Sequence, residues 1–371
     1  MFRNIFRSRP KKFLGIDIGT LYIKIVELKR EGKKIVLENY GELGISYPEE
    51  RLFRAFQKDT LLLSNQDIAK VIQSICQEAK IQTKEVNFSI PDFSSFFTTF
   101  KLPAMDREEI NEAIKYEVRP YVPLPLSEIT LDWLITEGEI GKTPLKILVV
   151  AIPNDLINQY QEIARILKLD LKSLEPEVFS MVRSLKPLIG NENLASADKG
   201  GKKIVTLVDI GARSTTYSIL EQGILKISHS FNVGSNELTE TLAKSLNIDY
   251  NKAEELKRKQ GLVLEKSGFE GSQQDVREIL LPFIDTIINE AKKIFRNFYQ
   301  NEGKEIDRII LAGGLALLPG LKEYFATELV KEVIIANPFL NVSYPPILEE
   351  TLKECGPSYV AAVGLALKGF E

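Results

Sequence analysis

One phrase, used twice, constrains this chain more than anything else in it. LGIDIGT (14–20) and LVDIGAR (207–213) each run an apolar strand into Asp-Ile-Gly, and a third strand (308–311) ends in Ala-Gly-Gly (312–314). A glycine after a strand lets the backbone turn tightly and aim N–H groups at an anion with no Cβ in the way. The repeat predicts an α/β protein of two duplicated lobes, with paired turns that grip a polyphosphate across a shared crevice. Carboxylates bind phosphate poorly but hold a hydrated Mg²⁺ that binds it well, so Asp17 and Asp209 at the heads of the turns point to a metal–nucleotide. A chain of 371 residues is long enough for two such cores.

Composition removes the main competitors. His229 is the only histidine, so a Ser–His–Asp triad or a multi-His metal site has one residue to run through. Two cysteines, Cys76 and Cys355, make neither a disulfide framework nor a Cys-based zinc site, and they fit a reducing compartment. With 48 Lys+Arg against 51 Asp+Glu, the net charge of −3 argues against nucleic-acid binding by bulk electrostatics. No apolar run approaches the roughly 20 residues needed to span a bilayer. No Gly-x4-Gly-Lys-Ser/Thr run exists, and no Gly-x-Gly-x-x-Gly follows a strand, so P-loop and dinucleotide Rossmann sites are excluded.

Along the chain, residues 1–12 form a basic arm with Phe2, Ile5 and Phe6 among its cations, suited to a frayed end or a weak contact with an anionic membrane surface. Residues 13–91 read as the first lobe: β-runs at 13–18, 22–29 and 35–40, a helix at 66–80 and a buried strand at 86–90. Residues 92–169 read as an inserted β-α-β-β-α subdomain. It has strands at 96–102, 129–136 and 145–152, a helix capped by Asp106 with Glu109 completing a capping box, and a second helix capped by Asn154. The first lobe resumes at 170–190 with a helix over 177–188. A polar interlobe loop (191–202), the second lobe (203–351) and a C-terminal helix returning to the first lobe (352–371) follow. The strongest helical periodicity lies at 275–299, where Pro282 begins or kinks the helix.

These motifs resemble the actin/DnaK/sugar-kinase superfamily of actin-like ATPases. LGIDIGTLYIK, VTLVDIGARSTT and IILAGGLALLPGL are similar to its two phosphate motifs and its adenosine motif, and AEELKRKQG (253–261) to its nucleotide-contacting helix. More narrowly, AIKYEVRPYVPLPLSEITLDW (113–133), LKSLEPEVFSMVRSL (171–185) and SFNVGSNELTETLA (230–243) resemble the PilM family of type IV pilus assembly proteins, close to FtsA, along essentially the whole chain.

The resemblance implies an ATP and Mg²⁺ site. Gly19, Thr20 and Lys24 in the first lobe and Gly211, Ala212, Arg213 and Ser214 in the second would meet the phosphates. Asp17 and Asp209 would act on Mg²⁺ through water, and Glu175 would orient the metal's water shell. Gly234 would sit by the phosphates, Glu254 and Lys257 would reach ribose and adenine, and Gly313 and Gly314 would pass the adenosine. Tight ATP binding with slow turnover is the expected behaviour. The implied partner is the short N-terminal cytoplasmic peptide of PilN, an inner-membrane pilus protein, alongside other pilus inner-membrane and motor components. That places the chain in the cytoplasm at the inner face of the inner membrane. Phe96, Phe97, Tyr121, Val122, Leu124 and Trp133 are the candidate groove residues, with the Pro-rich stretch 119–126 as a rigid wall. Two other readings compete. One is a small-molecule kinase, which needs a general base beside an acceptor. The other is a filament-forming FtsA-like ATPase, disfavoured because no amphipathic helix follows Lys368.

Overall fold

The computed structural model describes residues 11–44, 56–57, 60–61, 63–190, 203–263 and 275–371. Most of the basic arm (1–10) and the interlobe loop (191–202) lie outside the described residues.

The first half opens with an antiparallel meander of β1 (Lys12–Ile18), β2 (Tyr22–Glu31) and β3 (Lys34–Gly44). Residues 13–18 are all buried, because helices and sheet neighbours cover both faces of β1. A minimal hairpin, β4 (Phe56–Gln57) and β5 (Thr60–Leu61), precedes α1 (Asn65–Glu78), whose first turn is capped by Ser64 Oγ accepting from the Asp67 N–H at 3.1 Å. β6 (Glu85–Ile90) then runs parallel to β1.

The inserted segment supplies β7 (Phe96–Leu102), α2 (Arg107–Glu117), β8 (Ile129–Glu137), β9 (Leu145–Pro153) and α3 (Asn154–Ile166). Glu109 accepts from the Asp106 N–H at 3.0 Å, closing the capping box on α2. Asn154 does not cap α3. Its amide donates to Ser127 O and accepts from Thr130 Oγ1, tying the helix start to β8. The three strands pair in the order β7-β9-β8. α3 leaves this unit: Leu156, Tyr160, Ile163 and Ala164 pack into the first-lobe core against α1 and β6 residues.

β10 (Asp170–Pro176) completes a five-stranded sheet, β10-β6-β1-β2-β3. The helix expected over 177–188 is two pieces, α4 (Glu177–Ser184) and α5 (Lys186–Ile189), because Pro187 cannot extend the α4 hydrogen-bond ladder.

The second half repeats the plan. β11 (Ile204–Ile210), β12 (Thr215–Glu221) and β13 (Ile224–Phe231) form the meander. Then come α6 (Ser235–Leu246), α7 (Tyr250–Gln260), α8 (Val276–Glu302), β14 (Arg308–Ala312), α9 (Leu321–Leu329) and β15 (Glu332–Ile335). The sheet order β15-β14-β11-β12-β13 matches the first sheet strand for strand, parallel and antiparallel pairs included. α8 starts at an Asp275 cap and runs through Pro282 without stopping.

α10 (Glu349–Cys355) and α11 (Val360–Lys368) close the chain, and α11 packs on β1, β2, β6 and α4. This packing is backbone-close. A Cβ on Gly15 would sit 2.0 Å from Ala362 O, and one on Gly364 would sit 1.8 Å from Ser180 O. Gly364→Ala should therefore lower stability by about 3 kcal/mol. Urea unfolding checks this, and a loss under about 1 kcal/mol would mean that α11 packs less tightly than described.

Candidate functional site

The parallel strands of each sheet end on the same side, and ligand crevices form outside the carboxyl ends of such strands. β1 delivers Asp17 there. β6 delivers Asp92 in the short 3₁₀ turn Asp92–Ser94. β10 hands over to Glu177 at the first turn of α4, and β11 delivers Asp209. A cavity of about 620 Å³ opens between the lobes, and its lining includes Asp17, Glu177 and Asp209.

The two turns are built alike. The Gly19 N–H donates to Tyr22 O at 3.0 Å, and the Gly211 N–H donates to Ser214 O at 2.9 Å. Both turns line the cavity, through Gly19 and Thr20 on one side and Gly211, Ala212, Arg213 and Ser214 on the other. Lys24 lies directly across the β1–β2 ladder from Asp17, on the same face, and also lines the cavity. The Arg213 guanidinium sits 4.9 Å from the Phe93 ring. Gly313 adopts φ +86°, where a Cβ would meet Asp209 Oδ1 at 2.5 Å, whereas Gly314 has open space where a Cβ would go. A flat group can approach that backbone closely.

Glu254 and Lys257 of α7 line the far wall, already paired to each other at 2.6 Å. Lys257 also donates to Thr239 Oγ1 at 2.7 Å, and Arg258 holds the second Glu254 oxygen at 2.7 Å. Burial pushes the Lys257 ammonium down. Burial works in the opposite sense on Glu254, but the Lys257 charge and hydrogen bonds hold its carboxyl below the usual range. These side chains form a fixed polar wall.

Two expected residues fall elsewhere. Glu175 turns away from the cavity and into an ion cluster with Arg183 and Lys368, both at 2.5 Å. It is the last carboxylate of β10, on the face covered by α11, while Glu177 two residues later begins α4 and lines the cavity. Gly234 packs behind the second turn, where a Cβ would lie 2.6 Å from Ala212 O, and its neighbour Ser235 lines the cavity instead. The candidate groove residues are dispersed as well. Val122 is buried, and Phe96, Leu124 and Trp133 pack with it around α2. Phe97 points to the opposite sheet face, 6.5 Å from Phe179, because neighbours on a strand face opposite ways. Tyr121 is exposed and stacks on Phe100.

The sequence reading missed Asp92 and Glu177, which staple each other's turns. The Asp92 N–H donates to Glu177 Oε2 at 3.2 Å, and the Val178 N–H donates to Asp92 Oδ1 at 3.3 Å. An Asp directly after the strand-ending Pro91 was the signal available for Asp92. Ser89 Oγ holds Asp17 Oδ1 at 2.7 Å. Burial raises the carboxyl of Asp92 to about 8, with Asp209 and Asp17 adding repulsion, and that of Asp209 to about 6, with Asp17 adding repulsion and Lys24 opposing it. Glu177 is pushed well above the usual carboxylate range, first by burial and then by Asp17 and Asp92. Such an acidic floor is relieved by a bound cation. Among the described residues no three His, Cys, Asp or Glu side chains form a direct ligand set.

The family model for the type IV pilus assembly protein PilM matches residues 15–370. The chain belongs to the PilM family. Its backbone follows the "PilM-PilN type IV pilus biogenesis complex" structure with a TM-score of 0.81 at 23% identity, over 96% of this chain and 98% of that one. MreB 5 of Spiroplasma citri bound to AMPPNP matches with a TM-score of 0.54 at 13% identity, covering 97% and 96% of the two chains. The fold is that of the actin-like ATPases. Among curated proteins, the cell division protein FtsA of Helicobacter pylori is 30% identical over 183 residues, which is 44% of this chain and 36% of that protein. FtsA of Rhizobium meliloti is 28% identical over 43% of this chain and 39% of its own length. The match therefore spans well under half of these relatives. Among the described residues no helix is long and apolar enough to cross a membrane.

The acidic floor has a consequence for stability. The folded values of Asp92 (about 8) and Asp209 (about 6) lie above the ordinary 3.8, so between pH 4 and 8 the folded chain holds protons that the unfolded chain has released. Stability of the metal-free protein should fall as pH rises through that window, and Asp92→Asn should flatten the fall between pH 6 and 8. Thermal melts in chelator across a pH series check this, and an unchanged slope in the variant would count against it.

Proposed function

We propose that the chain is an ATP-binding scaffold of type IV pilus assembly that binds the N-terminal cytoplasmic peptide of PilN. On this reading, lobe closure around Mg²⁺–ATP sets its affinity for that peptide. The observation that carries the reading is the convergence of the two Asp-Gly turns, one from each lobe, on a single cavity.

The turns and Lys24 would hold the phosphates, and Gly313–Gly314 and the α7 wall would receive the nucleoside. Asp17 and Asp209 would hold a hydrated Mg²⁺, which supplies charge neutralisation at the phosphates. Glu177, rather than Glu175, would orient the metal's water shell, with one carboxylate oxygen held by the Asp92 N–H and the carboxylate placed to position a water at the terminal phosphate. Family membership and the likeness to a PilM–PilN complex over nearly the whole chain support the partner. The exposed ring of Tyr121 and the neighbouring Tyr116–Arg119 pair, with the guanidinium 5.1 Å from the ring, offer that peptide an amphipathic surface.

Asp209→Ala should reduce Mg²⁺–ATP affinity at least 100-fold while the protein stays folded, whereas Glu177→Gln should leave affinity within about threefold and slow any hydrolysis 100-fold or more. Titration calorimetry and single-turnover assays decide between these outcomes. Unchanged affinity in the Asp209 variant would remove the nucleotide site. A peptide of the first residues of the cognate PilN should bind at micromolar strength or better, with a Kd that differs with and without Mg²⁺–ATP. No binding in either state would remove the scaffold reading.

A further inference from the structure

The inserted subdomain meets the two lobes through different chemistry. Toward the first lobe it presents Val150 and Ile152 of β9, buried in the first-lobe core, and its chain continues directly into α3. Toward the second lobe its buried apolar contribution is Leu148, helped by half-buried Leu134 and Phe97, against Leu220 and Leu225. The rest of that second joint is polar: Thr99 Oγ1 donates to Lys226 O at 3.4 Å, and a run of ion pairs lies beside it.

Lys226 of β13 is 5% exposed. It donates to Glu137 of β8 at 2.8 Å and to Thr136 O at 3.3 Å, while Glu221 of its own lobe stands 3.3 Å away. Lys146 of β9 lies 3.6 Å from Glu137 and pairs with Glu302 at the end of α8. Lys304 closes on Glu221 at 2.7 Å. The six residues alternate in sign as Glu302–Lys146–Glu137–Lys226–Glu221–Lys304, and the chain passes between subdomain and second lobe twice.

Lys226 and Glu221 are buried, while Glu137 is 47% exposed. A pair held on a buried charge adds little net stability against an apolar joint, but leaving that charge without its partner is expensive, so the pairs at Lys226 favour one register over its neighbours. The same edge strand, β13, also packs against the 3₁₀ turn that carries Asp92 and Phe93, and Phe93 lies under Arg213 of the second phosphate turn. β13 thus links the charged joint to a turn whose Phe93 lines the crevice.

We propose that this ion chain is a latch that fixes the inserted subdomain to the second lobe, so that the subdomain follows that lobe when the crevice closes on its ligand. The coupling to nucleotide rests on the function proposed above; the latch itself does not.

The test exchanges charges across the joint. Glu137→Lys with Lys146→Glu keeps net charge and keeps the two mutually attractive, but sets Lys against Lys226 and Glu against Glu302. Adding Glu302→Lys restores one crossing pair. In a Cys76→Ser, Cys355→Ser background, spin labels at positions 142 and 244, both highly exposed, report the distance between subdomain and second lobe by pulsed electron resonance. Without nucleotide, the double exchange should shift or broaden a distribution that is narrow in the parent, and Glu302→Lys should narrow it again. Mg²⁺–ATP affinity should change at least fivefold with the exchange and recover with it. If the exchanged protein does not fold, Glu137→Gln with Lys146→Met should broaden the distribution in the same direction.

A parent-like distance distribution in the folded variants overturns the latch. A shifted distribution with unchanged ATP affinity keeps the latch and overturns its coupling to the crevice. A parent that binds no Mg²⁺–ATP overturns the nucleotide reading, while the distance measurement still decides the latch.

Discussion

Like-charge crowding at the ends of two sheets is the constraint on which the rest of this molecule turns. Asp17, Glu177 and Asp209 line one crevice from separate strand ends, with Asp92 buried close behind them and Lys24 the cation that opposes their repulsion at Asp209. Desolvation and mutual repulsion act in the same direction on Asp92, Asp209 and Glu177, so the folded state keeps protons it would otherwise release. Backbone N–H groups of Asp92 and Val178 hold two of the four carboxylates in place. A cation bound beside these carboxylates would relieve that repulsion.

Duplication is the economical way to build such a site. Each half brings one Asp-Ile-Gly turn, closed by the same N–H to carbonyl bond three residues apart, at the end of the same strand in the same sheet order. Gly313 shows what convergence demands: its backbone passes so near Asp209 that a side chain would strike the carboxylate. Gly234 is constrained in the same way by the carbonyl of Ala212, yet it lies behind the turn rather than on its ligand side. A glycine required by packing behind a turn and one on its open side look identical as letters, which is why the expectation that Gly234 sits by the phosphates is not met by the cavity lining.

The same distinction separates what was legible from what was not. The turns, the duplicated sheets, the capping box at Asp106 and the long helix after Asp275 are local patterns, and they are where the spacing put them. Glu175 and Glu177 stand two residues apart in Leu-Glu-Pro-Glu, and only the strand-to-helix change at Pro176 decides which one faces the crevice. Phe96 and Phe97 are alike as apolar letters, but a strand sends neighbours to opposite faces. α3 reads as part of the inserted unit by position, and its buried stripe of Leu156, Tyr160 and Ile163 places it in the first-lobe core. The ion chain had no sequence signal at all, since its members are up to 167 residues apart (304 − 137).

β9 ties these levels together. Its odd residues Ile147, Val149 and Ala151 pack under α2, its even residues Val150 and Ile152 enter the first-lobe core, and Leu148 enters the cluster shared with the second lobe. One strand thus serves three cores, and any rotation between the lobes has to be absorbed beside it. Apolar contacts tolerate small slides because dispersion is non-directional, whereas a chain of alternating charges holds a single register. The joint to the first lobe is of the first kind and the joint to the second lobe is largely of the second. The subdomain thus meets the first lobe through apolar contacts that can slide and the second through pairs that resist sliding, which is the asymmetry the proposed latch depends on.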